Sequence, residues 1–214
     1  MESPVPRTPP AANQPANAQP TASPQPTSAD IDRLLAVPAR FHAGTAYRDR
    51  ALLEVLCDTG LQASELAELN VADIDSDQST IVCGKGSHRQ RTLKLSQRTA
   101  GALVDYLAHG RAFPDNGTES AAQSEQPLFL NHRGRRLTRQ GVWMIVRTHA
   151  AAIGLDGRIT PRTLRHSVAT RLLQSGVEPR ETRQRLGINR LAPATQNDEQ
   201  KMPRLLLDGK VAVQ

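Results

Sequence analysis

The apolar period of the chain switches from helical to alternating and back, and that switch restricts the fold more than any other feature. In residues 48–59, Leu52, Leu53, Val55 and Leu56 form one stripe at helical spacing, and Gly60 ends it. A short second helix is expected over 64–69, with Ser64 as its N-cap. Residues 80–83 and 91–95 then alternate at period two, which reads as two strands joined by the loop 84–90. Residues 128–130 allow one further short strand. Helical signals return at Ser96, which caps a helix to about His109, and at Thr138, which caps one over 139–153. Thr160-Pro161 opens the next helix, which stops at Gly176, and a last helix is expected over 178–186. The pattern predicts a mostly α-helical domain with a small antiparallel β-sheet, an α+β fold, over residues 46–187.

The flanks lack such patterning. Residues 1–28 hold eight of the chain's 15 prolines and almost nothing bulky and apolar, so they are expected to form a disordered tail. Residues 29–45 read as a linker or short helix, 113–127 as a surface loop, and 188–214 as a tail with no clean period. No apolar run approaches the roughly 18 residues of a membrane span, and no secretory leader is recognisable. Cys57 and Cys83 have neither metal nor disulfide spacing. The expectation is a cytoplasmic protein with no cofactor and no metal.

The charge is concentrated. Residues 130–190 contain 13 arginines and three acids, a net of +10, within a chain whose net charge is +6. All the cations of that stretch are Arg, whose planar fork matches phosphate oxygens, so a phosphate-binding surface is expected there. RNA recognition would need aromatic side chains for base stacking, and aromatics make up only 3% of the chain.

Three segments hold residues suited to chemistry. The first is the helix-to-helix turn 59–66. The second is the hairpin tip Gly84-Lys85-Gly86, which presents a mobile cation. The third is the capped helix start 160–170, where Arg162 and Arg165 share a face beside His166. The helix dipole and free N–H groups at such a start favour an anion. Each segment alone also has an ordinary structural reading.

Taken in order, RDRALLEVLCDTGLQASEL, IVCGKGSHRQRTLKLS, LTRQGVW and ITPRTLRHSVATRLLQSGVEPRETRQRLG resemble the catalytic domain of the tyrosine recombinase, or phage integrase, family, in its Xer-like branch. The resemblance covers residues 46–187. It implies a fold whose C-terminal part is missing or altered here, and double-stranded DNA as partner. It also implies a chemistry in which a tyrosine hydroxyl attacks a phosphodiester and forms a covalent phosphotyrosine. Two arginines neutralise the developing charge, and a general acid protonates the leaving oxygen.

Position by position, the resemblance puts the first family arginine at Gln62 and the hairpin lysine, the implied acid, at Lys85. The His-x-x-Arg-His box falls on 162–166, so Arg162 replaces its first histidine, Arg165 keeps the second arginine, and His166 keeps the second histidine. The family's Leu-Gly-His reads Leu186-Gly187-Ile188. An ungapped count for the nucleophile lands on Asn197, and no tyrosine follows position 106. The implied DNA-binding residues are Lys85, Arg89, Arg139, Arg162, Arg165 and His166.

With Lys85 and Arg165 retained and the other functional positions substituted, the expectation is a DNA-binding protein that does not cleave alone. A non-cutting partner of an intact tyrosine recombinase is the alternative. The abrupt loss of resemblance after Gly187 suggests a frameshifted gene. The family's N-terminal DNA clamp has no counterpart beyond a single helix before residue 45, so weak, steeply salt-dependent DNA binding is expected.

Overall fold

The computed structural model describes residues 25–40, 43–111 and 126–188. Most of the proline-rich segment, most of the loop at 113–127, and the tail with Asn197 lie outside them. Seven helices are described: α1 Ser28–Ala36, α2 Ala43–Thr59, α3 Ala63–Glu68, α4 Gln97–Asp105, α5 Arg139–Ala152, α6 Pro161–Gln174 and α7 Pro179–Arg185. Three antiparallel strands, β1 Ile74–Asp75, β2 Thr80–Cys83 and β3 Arg91–Lys94, form one sheet in the order β1-β2-β3.

Helix α2 is the axis of the domain. Ala51 through Cys57 are all buried along it, because α1, α4, α5 and α6 pack around it. A helix buried on nearly every side shows this continuous buried run, with Glu54 in it paired to Arg98, rather than a clean stripe. It begins five residues before the expected start at Arg48, since Ala43-Gly44-Thr45-Ala46 has no bulky apolar residue to signal it. Helix α1 joins the same core through Leu34 and Leu35. Thr27 and Asp30 form its capping box, and Arg33 donates to the carbonyl oxygen of Ile153 at 3.0 Å.

In the sheet, Ile81 lies opposite Ile74 on one side and Leu93 on the other. Strand β1, only two residues long, was not legible by alternation. The segment 128–130 is not a strand. Leu130 makes an isolated bridge to Arg136, and Leu128 donates to the carbonyl oxygen of Leu69, so the three buried residues run as a tied-down connection. Helix α4 continues into a π-helical turn, Tyr106–Gly110. There Tyr106 stacks on Phe129 with ring centroids 5.5 Å apart, and its hydroxyl accepts from the Leu130 amide at 3.2 Å. Across α2 and α5, the buried Asp49 and His149 pair at 3.0 Å.

The N-cap of α3 is Gln62 rather than Ser64. Its amide donates to Glu65 Oε2 at 2.9 Å, so the turn after Gly60 feeds directly into α3. Helix α7 ends in a Schellman motif. The Gly187 amide donates to the Gln184 carbonyl oxygen and the Ile188 amide to that of Arg183. Ile188 then packs with Val168, Ala169 and Leu186 in a small second core between α6 and α7. Among the described residues, no helix is long and apolar enough to cross a membrane.

Gly60 has φ +66°, and a Cβ there would stand 2.8 Å from Leu186 and 3.2 Å from Val168. Gly154 has φ +74° but open space around it. Gly154→Ala is expected to cost about 1–2 kcal/mol of backbone strain, and Gly60→Ala about 1–3 kcal/mol more from overpacking. Urea denaturation of the two variants checks the difference.

Candidate functional site

The carbonyl oxygens at the ends of two helices fix one arginine. Arg165, on the second turn of α6, donates through Nη1 to Gly60 O at 2.8 Å and through Nη2 to Leu186 O at 2.5 Å. One guanidinium therefore joins the end of α2, the start of α6 and the end of α7. Thr160 caps α6 by accepting from the Thr163 amide, and Pro161 sits at its first position, which holds this start in place.

Beside Arg165 lies Glu65, whose Oε2 is 3.9 Å from Arg165 Nη1. Arg91 grips the same carboxylate with both Nη atoms, at 2.7 and 3.1 Å. Its Nε donates to Arg185 O at 2.6 Å, and Nη1 also reaches Arg89 O at 3.1 Å. Gly187 leaves room for this guanidinium, because a Cβ there would come within 2.5 Å of Arg91 Nη1. The result is a part-buried Arg–Glu–Arg arrangement that binds β3, α3, α6 and α7 together.

Its electrostatics are unbalanced. Burial pushes the Arg165 guanidinium down to about 10, Glu65 counters this, and Arg91 and Arg89 push the same way as burial. It remains charged at neutral pH. Burial also disfavours the Glu65 carboxylate, but the Arg91 hydrogen bonds and the Gln62 amide outweigh it and hold the carboxyl below its ordinary value. Burial first, and then the neighbouring Arg162, lowers the His166 imidazole below its ordinary value.

The residues singled out from the sequence divide on this geometry. Arg165 is at the centre. Gln62 is half-buried two residues beyond Gly60, and Arg162 is exposed one turn before Arg165. Arg89 is exposed on the hairpin loop and close enough for its charge to act on Arg165. Ile188 belongs to the apolar cluster rather than to the polar one. Lys85 forms an ion pair with Asp73, which is 5% exposed. Arg139 is exposed at the first position of α5.

Sequence reasoning missed Glu65, Arg91 and Asp73. A signal for Arg91 existed: it alternates with Leu93 and Leu95, so a charged side chain stands on the inward face of β3. Several arginines of the basic stretch also have internal partners. Arg136 donates to Ala67 O, Leu69 O and Asn70 Oδ1, Arg171 to Cys57 O, and Arg185 to Glu181. Part of the arginine excess therefore fastens the fold instead of facing a polyanion. Among the described residues, no cluster of His, Cys, Asp or Glu could hold a metal ion.

A description of the phage integrase family matches residues 26–196. The chain belongs to that family. The tyrosine recombinase XerC of Roseiflexus sp. (strain RS-1) is 40% identical over 161 residues, 75% of this chain and 50% of the relative. A tyrosine recombinase XerD of Halalkalibacterium halodurans is 39% identical over 141 residues, 65% of this chain and 45% of the relative. The chain thus spans about half the length of the curated relatives it matches. Among solved structures, XerA recombinase is similar with a TM-score of 0.65 and 24% identity, covering 89% of this chain and 63% of that one. A XerH recombinase bound to its difH substrate gives a TM-score of 0.61 at 21% identity, covering 82% of this chain and 48% of that one. These likenesses establish the integrase-family catalytic-domain fold, including its small antiparallel sheet.

Within this family fold, Glu65→Gln is expected to destabilise by about 3–5 kcal/mol at pH 7, because it leaves two part-buried guanidiniums facing a neutral amide. The Glu65 carboxyl is lowered from 4.5, so its stabilising contribution is present above that value and fades as pH falls through the folded-state value. The Glu65→Gln variant should lose that part of the acid dependence, measured as urea midpoints between pH 7 and pH 3.

Proposed function

We propose that this chain is a DNA-binding member of the tyrosine recombinases that does not cut DNA by itself. The observation behind this reading is where the only two tyrosines stand. Tyr106 is fully buried against Phe129, its hydroxyl is engaged by the Leu130 amide, and burial raises its ionisation above the ordinary tyrosine value. Tyr47 packs against His109 with ring centroids 5.6 Å apart. Neither touches Arg165, Glu65 or Arg91, so neither phenol can attack a phosphate held there.

The other substitutions point the same way. Gln62 stands where the resemblance expects an arginine, and loss of one such donor costs about 100- to 1000-fold in rate. Ile188 offers no hydrogen bond where the family pattern has histidine. The Xer relatives are named as tyrosine recombinases, and XerH was solved on its DNA site. This chain keeps basic residues on the matching elements, notably Arg89, Arg139, Arg162 and Arg165. Such a chain fits a non-cutting role beside an intact recombinase.

On a nicked suicide duplex, which traps the covalent intermediate of an active enzyme, the protein is expected to give no DNA adduct on a denaturing gel. The same duplex should be retarded on a native gel at low salt and released as salt rises. A covalent adduct at any salt concentration overturns the proposal.

A further inference from the structure

The arginines of the basic stretch divide into those the fold holds and those it leaves free. Arg136, Arg165 and Arg171 donate to carbonyl oxygens, Arg147 pairs with Asp156, and Arg185 pairs with Glu181. Arg133 and Arg135 are exposed, and neither makes an ion pair among the described residues. No acid of their own segment can neutralise them, because residues 126–155 contain five arginines and no Asp or Glu. The family resemblance implies Arg139 at the start of α5 and assigns nothing to these two.

The turn that carries them is tied down at every level. Leu130 and Arg136 bridge its base, and the Leu137 amide donates to Phe129 O at 2.8 Å. At the tip, the Asn131 amide donates to Arg135 O at 2.7 Å and the Gly134 amide to Asn131 O at 3.0 Å. The Asn131 side chain adds two more bonds: its Oδ1 accepts from the Arg133 amide at 2.9 Å and from the Arg135 amide at 3.1 Å. The Arg136 guanidinium fastens the turn to the body through Ala67 O, Leu69 O and Asn70 Oδ1. The Asn70 amide donates to Asp73 Oδ2, and Asp73 holds Lys85 of the hairpin. The basic turn and the hairpin are therefore anchored on one short segment, residues 70–73.

We propose that this turn is a preformed grip for the DNA backbone, in which Arg133 and Arg135 each neutralise a phosphate and Asn131 is a positioning residue. The inference rests on the DNA-binding reading above and adds a contact surface to it. Arginine at both positions suits phosphate oxygens, which its planar fork meets with two N–H groups. The bracing by Asn131 fixes the backbone of the tip before contact, so less freedom is lost on binding. No bond of the phosphodiester is broken, so the grip needs no nucleophile and no acid.

Fluorescence anisotropy of the full chain with a labelled duplex, from about 50 to 300 mM NaCl, gives the slope of log affinity against log salt. Arg133→Ala and Arg135→Ala should each reduce that slope by about one and weaken binding about tenfold at about 100 mM salt. Their urea midpoints should stay at the wild-type value, since both side chains are exposed. Arg147→Ala removes an exposed arginine that already has an acidic partner, and it should leave the slope unchanged. Asn131→Ala keeps every cation. It should retain the slope but weaken binding about fivefold throughout the salt range, because the tip must then be ordered on contact.

Duplex binding whose slope is unchanged by Arg133→Ala and Arg135→Ala overturns the grip and leaves the DNA-binding reading standing. An equal loss of slope in Arg147→Ala overturns the distinction between free and paired arginines on which the grip rests. Unchanged affinity in Asn131→Ala overturns the positioning role of Asn131. No duplex binding at any salt concentration overturns the DNA-binding reading together with the grip. Binding of poly-L-glutamate that Arg133→Ala abolishes would then mark the turn as a site for an acidic protein segment instead.

Discussion

The domain turns on the Arg165 guanidinium. Its two hydrogen bonds close the space between the carbonyl end of α2 and the carbonyl end of α7. Those ends present orphan C=O groups, which need a donor when they are shielded from water. An arginine supplies two donors at fixed spacing and brings a charge that complements both helix C-termini. The cost is a buried cation, which Glu65 offsets while Arg91 and Arg89 add to it. Removing Glu65 takes the carboxylate from both guanidiniums at once, so the arrangement depends on that residue.

That interdependence gives a physical account of which residues persist at the positions the resemblance singles out. On the proposed reading, Arg165 and Lys85 persist because each has an internal partner: two carbonyl oxygens for Arg165, and the buried Asp73 for Lys85. Gln62 is half-buried and Arg162 exposed. Ile188 goes further, since a β-branched aliphatic residue after Gly187 completes the Schellman motif with an apolar contact.

The sequence announced the helices because each has either an apolar stripe or a strong boundary. Thr138, Thr160-Pro161 and Gly176 mark ends through backbone chemistry that acts within a few residues. It was silent on β1, which has two residues and no period to detect, and on the first turn of α2, whose Ala43-Gly44-Thr45-Ala46 has no bulky apolar residue. The strand expected at 128–130 failed for a different reason: all three side chains are buried, and the segment is fastened by Leu69 and Leu137 rather than paired as a strand. Within the site, the anchoring arginine was visible as a motif, while Glu65 of α3 and Arg91 of β3 are 26 residues apart and meet only in the folded chain.

The same non-local logic changes the meaning of the basic composition. An arginine-rich stretch reads as a polyanion surface when side chains are counted along the chain. In three dimensions Arg136, Arg165 and Arg171 point at carbonyl oxygens of α2, α3 and their ends. Lysine would serve poorly there, because one ammonium cannot span two carbonyl oxygens with planar geometry. The preference for Arg over Lys thus reflects internal fastening as much as phosphate recognition. On the proposed reading, charge available to DNA is confined to the side chains left exposed, such as Arg89, Arg139 and Arg162.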